Sequence, residues 1–138
     1  MIVLDTNVVS ELMRPSPDAS VLQWLDRQAR TSIWITSVNV FELRFGLETM
    51  PAGKRQAAMN SWFEQWLGDI VQQRILVYDE AAARMASDLA AARARKGRPG
   101  ELRDTMIAGI VLASHATLAT RNVRHFEDIA KYVVNPWD

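Results

Sequence analysis

Met1-Ile2-Val3-Leu4-Asp5-Thr6-Asn7 opens the chain, and its reading decides the fold. Ile2, Val3 and Leu4 form a short apolar run with no polar alternation, the pattern of a strand buried on both faces of a parallel sheet. An acid follows at once. In open α/β sheets ligands bind beyond the carboxyl ends of the strands, so Asp5 points toward such a crevice or caps the helix that follows.

Similar short apolar runs recur at Ile33–Ile35, Ile75–Val77, Thr117–Ala119 and Tyr132–Val134, each separated from the next by helical sequence. That alternation predicts βαβ units around a mainly parallel sheet of about five strands, covered by helices on both faces. Helices are predicted over 18–29, 37–50, 53–71, 80–96 and 102–114. Ser37 and Asp79 are candidate caps, and Pro51, Gly97 and Pro99 are stop signals. Met59, Trp62, Phe63, Trp66 and Ile70 recur at three- and four-residue spacings along 53–71. That stripe is read as core packing, with a base-stacking platform or a dimer surface as the alternatives.

The 138 residues suit one domain, 1–138, with no linker, repeat or low-complexity tract. No cysteine is present, which excludes disulfides, thiol nucleophiles and thiolate-bound metals. Two histidines, His115 and His125, are too few for a His-rich zinc site, so any metal site is built mostly from oxygen. Oxygen donors favour Mg²⁺, Mn²⁺ or Ca²⁺. The opening residues lack the basic region and apolar length of a signal peptide. Ile107–Ala113 falls far short of the roughly 18 residues of a membrane span. A cytoplasmic location and no membrane partner are expected.

Sixteen basic residues balance sixteen acidic ones, so no global field draws the chain to nucleic acid. Arg93, Arg95, Lys96, Arg98 and Arg103 nonetheless cluster, either as the solvated end of a helix or as a phosphate-binding patch.

Three carboxylates stand out. Besides Asp5, Glu42 lies within an apparent apolar stripe of Val38, Phe41 and Phe45, where an unpaired carboxylate is costly. It needs a metal or a basic partner such as Arg44 or Arg103. Asp104 lies in the first turn of the apolar 102–114 helix, a favourable place for an acid on dipole grounds alone. Thr120 and Asn122 follow the fourth strand as neutral oxygen donors, or as ordinary turn residues. Spacing alone does not bring these positions together. Two successive helices precede the fourth strand, and simple up-and-down alternation gives Asp104 no obvious route to the crevice.

The same residues carry a resemblance. Met1 through Glu11, Met13-Arg14-Pro15, Ser37 through Gly46, Asp104 opening its helix, Leu118 through Phe126, and Asn135-Pro136-Trp137 appear in order along the whole chain. This set resembles the PIN-domain family, specifically VapC/FitB-type toxins of toxin–antitoxin pairs. The resemblance implies a three-layer α/β/α fold and an Mg²⁺- or Mn²⁺-dependent ribonuclease. It implies Asp5, Glu42 and Asp104 as the catalytic and metal-holding acids, with Asn122 at a fourth position that is often acidic in relatives. Asn7, Ser37 and Thr120 would then bear on the outer metal shell or the substrate, and the basic cluster on the RNA backbone. Implied partners are RNA, a cognate antitoxin, operator DNA through that antitoxin, and a second copy of the chain.

Two rivals come from other classes. One is a non-catalytic module whose acidic pocket holds Mg²⁺ or a basic partner segment; its phosphoacceptor version would need further acids near the first strand, and Met1–Leu4 offers none. A phosphatase-like hydrolase would carry a second acid two residues after Asp5, where Asn7 stands.

Overall fold

A computed structural model describes residues 1–138. Five strands, β1 (Ile2–Leu4), β2 (Ile33–Thr36), β3 (Ile75–Leu76), β4 (Thr117–Ala119) and β5 (Val133–Val134), form one sheet in the order β3-β2-β1-β4-β5. Every pairing is parallel. The opening strand is therefore central, with Ile2 beside Ile33 on one flank and Thr117 on the other.

Period-two alternation divides the core. Leu4, Ile33, Ile35 and Ala119 face one apolar cluster, while Val3 and Leu118 face the other. The first face is covered by α1 (Thr6–Leu12), α2 (Ala19–Asp26), α3 (Ser37–Glu48) and α4 (Lys54–Trp66). The second is covered by α5 (Glu80–Arg95) and α6 (Leu102–Ser114), with the irregular 3₁₀ segment Val123–Tyr132. The result is the three-layer α/β/α arrangement that the alternation predicts. No helix is long and apolar enough to cross a membrane.

Local chemistry moves some boundaries. The 53–71 helix is α-helical only to Trp66, then widens into a π turn over Leu67–Val71. It stops where Gln72 and Gln73 take positive φ. Its aromatic stripe packs inward: Phe63 and Trp66 are buried, Trp62 stacks on Trp66, and Met59 and Ile70 pack against the same core. Helix α2 ends at Asp26, and 30–32 is a 3₁₀ turn instead. Asp79 does cap α5, accepting from the Ala82 amide.

The cap of α3 is Thr36 rather than Ser37. The Thr36 hydroxyl oxygen accepts from the Asn39 amide, and the Asn39 side-chain oxygen accepts from the Thr36 amide. Ser37 instead accepts from the backbone of Tyr78. The apolar stripe expected around Glu42 is also corrected. Phe41 and Phe45 are 56% and 55% exposed and stack on each other at the surface, while Val38, Leu43 and Leu47 turn inward.

Helix α6 resolves the route of Asp104. It ends two residues before β4 begins, so its C-terminus lies at the amino edge of the sheet. Its N-terminus, with Asp104, therefore reaches the carboxyl edge. Gly109 sits opposite Ala82 and Ala86, and Thr105 opposite Arg93, so α5 and α6 run antiparallel. A Cβ at Gly109 would lie 2.5 Å from the Ala82 carbonyl, so the helices touch at a distance only glycine permits.

Arg93 closes that hairpin. Only 7% exposed, it donates to both Asp128 oxygens, to the Thr105 hydroxyl and to the His125 carbonyl. These contacts hold the Asp128 carboxyl below the usual aspartate range. The stabilisation from that shift is present above the ordinary aspartate value and is lost as pH falls through the lowered one. Arg93→Ala should cost up to about 3 kcal/mol near neutral pH, discounted because Asp128 keeps 27% of its side chain in water. The deficit should shrink below about pH 4. Urea unfolding of both proteins across that range measures it, and a deficit independent of pH would refute the assignment.

Candidate active site

Asp5 ends the central strand. Its amide still pairs with the Ala119 carbonyl, continuing the β1–β4 ladder, while its side chain caps α1. Strand order reverses here, β2 lying to one side and β4 to the other, which is where open α/β sheets leave a crevice. Only 4% exposed, the carboxylate accepts from the Thr6 amide (2.9 Å) and the Asn39 side chain (3.2 Å) on Oδ1. On Oδ2 it accepts from the Thr120 hydroxyl (2.7 Å) and the Asn7 side chain (3.4 Å). All four donors are neutral. Burial raises its pKa above the ordinary value, and nearby Asp104 adds to the rise against the Thr120, Thr6 and Asn39 donors.

Thr6 links Asp5 to Glu42. Its hydroxyl accepts from Asn39 Nδ2 (3.1 Å) and donates to Glu42 Oε1 (2.8 Å). Glu42 is likewise pushed up, first by burial and then by Asp5 and Asp104, with the Thr6 donor and Arg103 opposing. Arg103 Nε lies 3.7 Å from Glu42 Oε2, a loose pairing, while Arg44 pairs with Glu64. Of the two basic partners the sequence offered Glu42, Arg103 is weakly engaged and Arg44 is absent. The burial of Glu42 comes from this polar cluster, since its phenylalanine neighbours face solvent.

Asp104 approaches from the start of α6, where Glu101 caps its amide. Its Oδ2 meets His125 Nδ1 at 3.0 Å, and Arg93 holds the backbone of His125. Asp5, Glu42 and Asp104 border one cleft of about 620 Å³, together with Asn7, Asn122, Arg14, Arg55, Arg121, Met59 and Trp137. Asn122 stands exposed at the rim, its amide donating to the Thr120 hydroxyl. Asn7 bridges Asp5, Thr120 and the Arg121 amide. Ser37 does not line this cleft and is engaged with Tyr78.

The sequence reading missed Thr6, Asn39 and His125. For Asn39 the Thr36-Ser-Val-Asn39 spacing carried a capping-box signal, but no local pattern pointed it at Asp5. Glu11 is a further acid on the cleft, yet its charge is spent on Arg14 (3.0 Å) and the Asp18 amide (2.8 Å). The basic cluster divides. Arg93 is internal and cannot contact RNA, whereas Arg95, Lys96 and Arg98 are exposed, Arg98 beside Glu127 at 3.3 Å. A larger depression of about 750 Å³ lies beyond His125, lined by Lys96, Arg98 and Arg124. The raised carboxylates are in the smaller cleft, and so is the capacity for chemistry.

This chemistry fits a hard divalent cation. The three acids do not close into a ready-made metal cage. Asp5, however, is a buried anion held only by neutral donors, and Glu42 has only a distant cation. Such uncompensated negative charge in an all-oxygen site is what Mg²⁺ or Mn²⁺ would neutralise.

The sequence pattern of the PIN domain matches residues 2–132. The chain belongs to the PIN-domain family. It is 39% identical over 138 residues to the plasmid stability protein StbB of Pseudomonas syringae, covering 100% of this chain and 99% of that one. It is 38% identical to the VapC ribonuclease Y4jK of Sinorhizobium fredii, with the same coverage. The FitAcB crystal structure from Neisseria gonorrhoeae shares this PIN fold with a TM-score of 0.91, at 32% identity and 99% coverage of each chain. These relatives place the chain on the VapC/FitB branch of PIN domains.

Because Asp5 and Glu42 have raised pKa values, they bind protons more tightly folded than unfolded. Their contribution favours the folded state below the ordinary carboxylate range and is lost as pH climbs through the raised values. In metal-free buffer, wild-type stability relative to Asp5→Asn should therefore fall as pH rises above about 4. Mn²⁺ should raise the wild-type unfolding midpoint at neutral pH and leave the variant nearly unmoved. Urea midpoints decide both, and a wild-type-to-variant difference flat with pH would remove the raised Asp5 carboxyl.

Proposed function

We propose that residues 1–138 act as one divalent-metal-dependent ribonuclease unit, the toxin of a VapBC-type toxin–antitoxin pair. One observation carries this reading: three acids from positions 5, 42 and 104 border one cleft at the switch point of the sheet, with Asp5 hydrogen-bonded only by neutral donors and Glu42 only loosely paired. The names of relatives support it, two of them tRNA(fMet)-specific endonucleases at 30% identity over 98% of this chain.

Asp5 and Asp104 would hold the metal, with Glu42 joining directly or through water. When bound there, Mg²⁺ or Mn²⁺ would supply positive charge to attract and polarise the phosphodiester and to favour ionisation of a water. The protein's own part is orientation. Thr120, Asn7 and Asn39 fix the rotamer of Asp5, Thr6 couples it to Glu42, and His125 steadies Asp104. Asn122, in place of a fourth acid, leaves one negative charge fewer and favours a single tightly held cation.

Arg95, Lys96, Arg98 and Arg103 meet the RNA backbone beside the cleft. A cognate antitoxin masks the cleft and carries the complex to operator DNA, a reading supported by the DNA-bound FitAB and VapBC structures, which share the fold. The toxin itself is homodimeric and cytoplasmic. A non-catalytic module acting only through an antitoxin–DNA complex is the alternative, but it gives no reason to bury an uncompensated carboxylate.

Antitoxin-free protein should cleave members of a tRNA and single-stranded RNA panel in Mg²⁺ or Mn²⁺, and not in EDTA. Asp5→Asn should lose at least about a hundredfold, the upper end of what changing even an outer-shell partner of a metal ligand costs. Metal binding without cleavage of any RNA would favour the non-catalytic module. Neutralising Lys96 and Arg98 together should flatten the salt dependence of RNA binding by roughly one to two charges, and an unchanged slope would place the RNA elsewhere.

A further inference from the structure

Two features of the cleft have no part in holding a metal. Its wall carries an indole, Trp137, and the Arg121 guanidinium lies over that ring at 5.0 Å from the centroid. Both are fixed from below. The Thr120 amide pairs with the Val134 carbonyl, bringing the segments after β4 and β5 side by side, and the Arg121 amide donates to Asn7 Oδ1 (3.1 Å). Trp137 sits in a tight turn whose Asn135 side chain accepts from its amide (3.0 Å), with Pro136 buried beneath. The residue that anchors Arg121, Asn7, also touches Asp5.

We propose that Arg121 and Trp137 form a stacking platform for an unpaired nucleobase next to the scissile phosphate. The inference rests on the nuclease reading and adds to it a base-stacking subsite built by two named side chains. Trp137 packs partly against the apolar core, while Arg121 is exposed over the ring, so together they offer a cationic, aromatic surface to the cleft. A base stacks on such a surface through its π face, and the guanidinium keeps donors for phosphate. A base inside a duplex has both faces covered by neighbours, so the platform selects single-stranded or flipped-out residues. Purines, with the larger π surface, gain most.

The test measures binding of fluorescein-labelled rA10, rU10 and an abasic ribose-phosphate decamer, with Ca²⁺ replacing Mg²⁺ to suppress cleavage. Wild type should prefer rA10 to the abasic strand by about tenfold, the usual worth of one stacked base, with rU10 between. Trp137→Leu keeps apolar bulk in the turn and should bring rA10 down to the abasic level. Trp137→Phe should retain part of the preference, and Arg121→Ala should weaken all three strands. Equal wild-type affinity for rA10 and the abasic decamer overturns the platform and leaves the nuclease reading standing. A preference that survives Trp137→Leu does the same. If wild type binds none of the strands and cleaves no RNA, the nuclease reading fails and takes the platform with it.

Discussion

Everything around the cleft follows from placing a carboxylate where little water reaches it. Asp5 stands at the end of the central strand with 4% of its surface exposed. A charge in that position must be hydrogen-bonded or it will hold its proton. The chain answers with four neutral donors drawn from β1's own continuation, α3 and the end of β4. Each donor satisfies a lone pair, and none cancels the charge. The site is thereby organised and left anionic, a combination suited to a cation arriving from outside. Glu11 shows the contrast within the same cleft: paired with Arg14, it is a closed structural contact.

That arrangement requires three layers to agree. α3 must begin at Thr36 for Asn39 to face Asp5, and the capping box sets that register. α6 must run against the strand direction for Asp104 to reach the carboxyl edge. The α5–α6 hairpin supplies this, with Gly109 allowing close contact and Arg93 tying its open end to Asp128 and His125. The buried arginine thus acts on the site at one remove, through the histidine that meets Asp104.

Much of this was legible in the sequence, for identifiable reasons. Unalternating Ile2–Leu4 marked a strand covered on both faces, and an acid directly after it marked a crevice. The helix over 102–114 was bounded correctly because its apolar residues are continuous and its ends are clear. Other readings failed where long-range contact overrides local pattern. Glu42 was singled out through a stripe with Phe41 and Phe45 that is solvent-facing. Arg93 looked like its exposed neighbours because nothing local announces Asp128 thirty-five residues away. Thr6, Asn39 and His125 are ordinary cap and turn residues until the fold brings them beside the acids. The route of Asp104 depended on helix direction, which periodicity does not encode.

The strand order also has a consequence in time. β1 is the first strand to leave the ribosome, yet its β4 neighbour begins at Thr117 and Asp5 is not locked until Thr120 arrives. At ordinary elongation speeds more than a hundred residues separate the two events by on the order of ten seconds. Throughout synthesis the growing chain carries Asp5 and Glu42 without the strand that closes the cleft around them. The cleft takes its final shape only after Thr120 has been made, and until then its two earlier acids stand without the strand that closes around them.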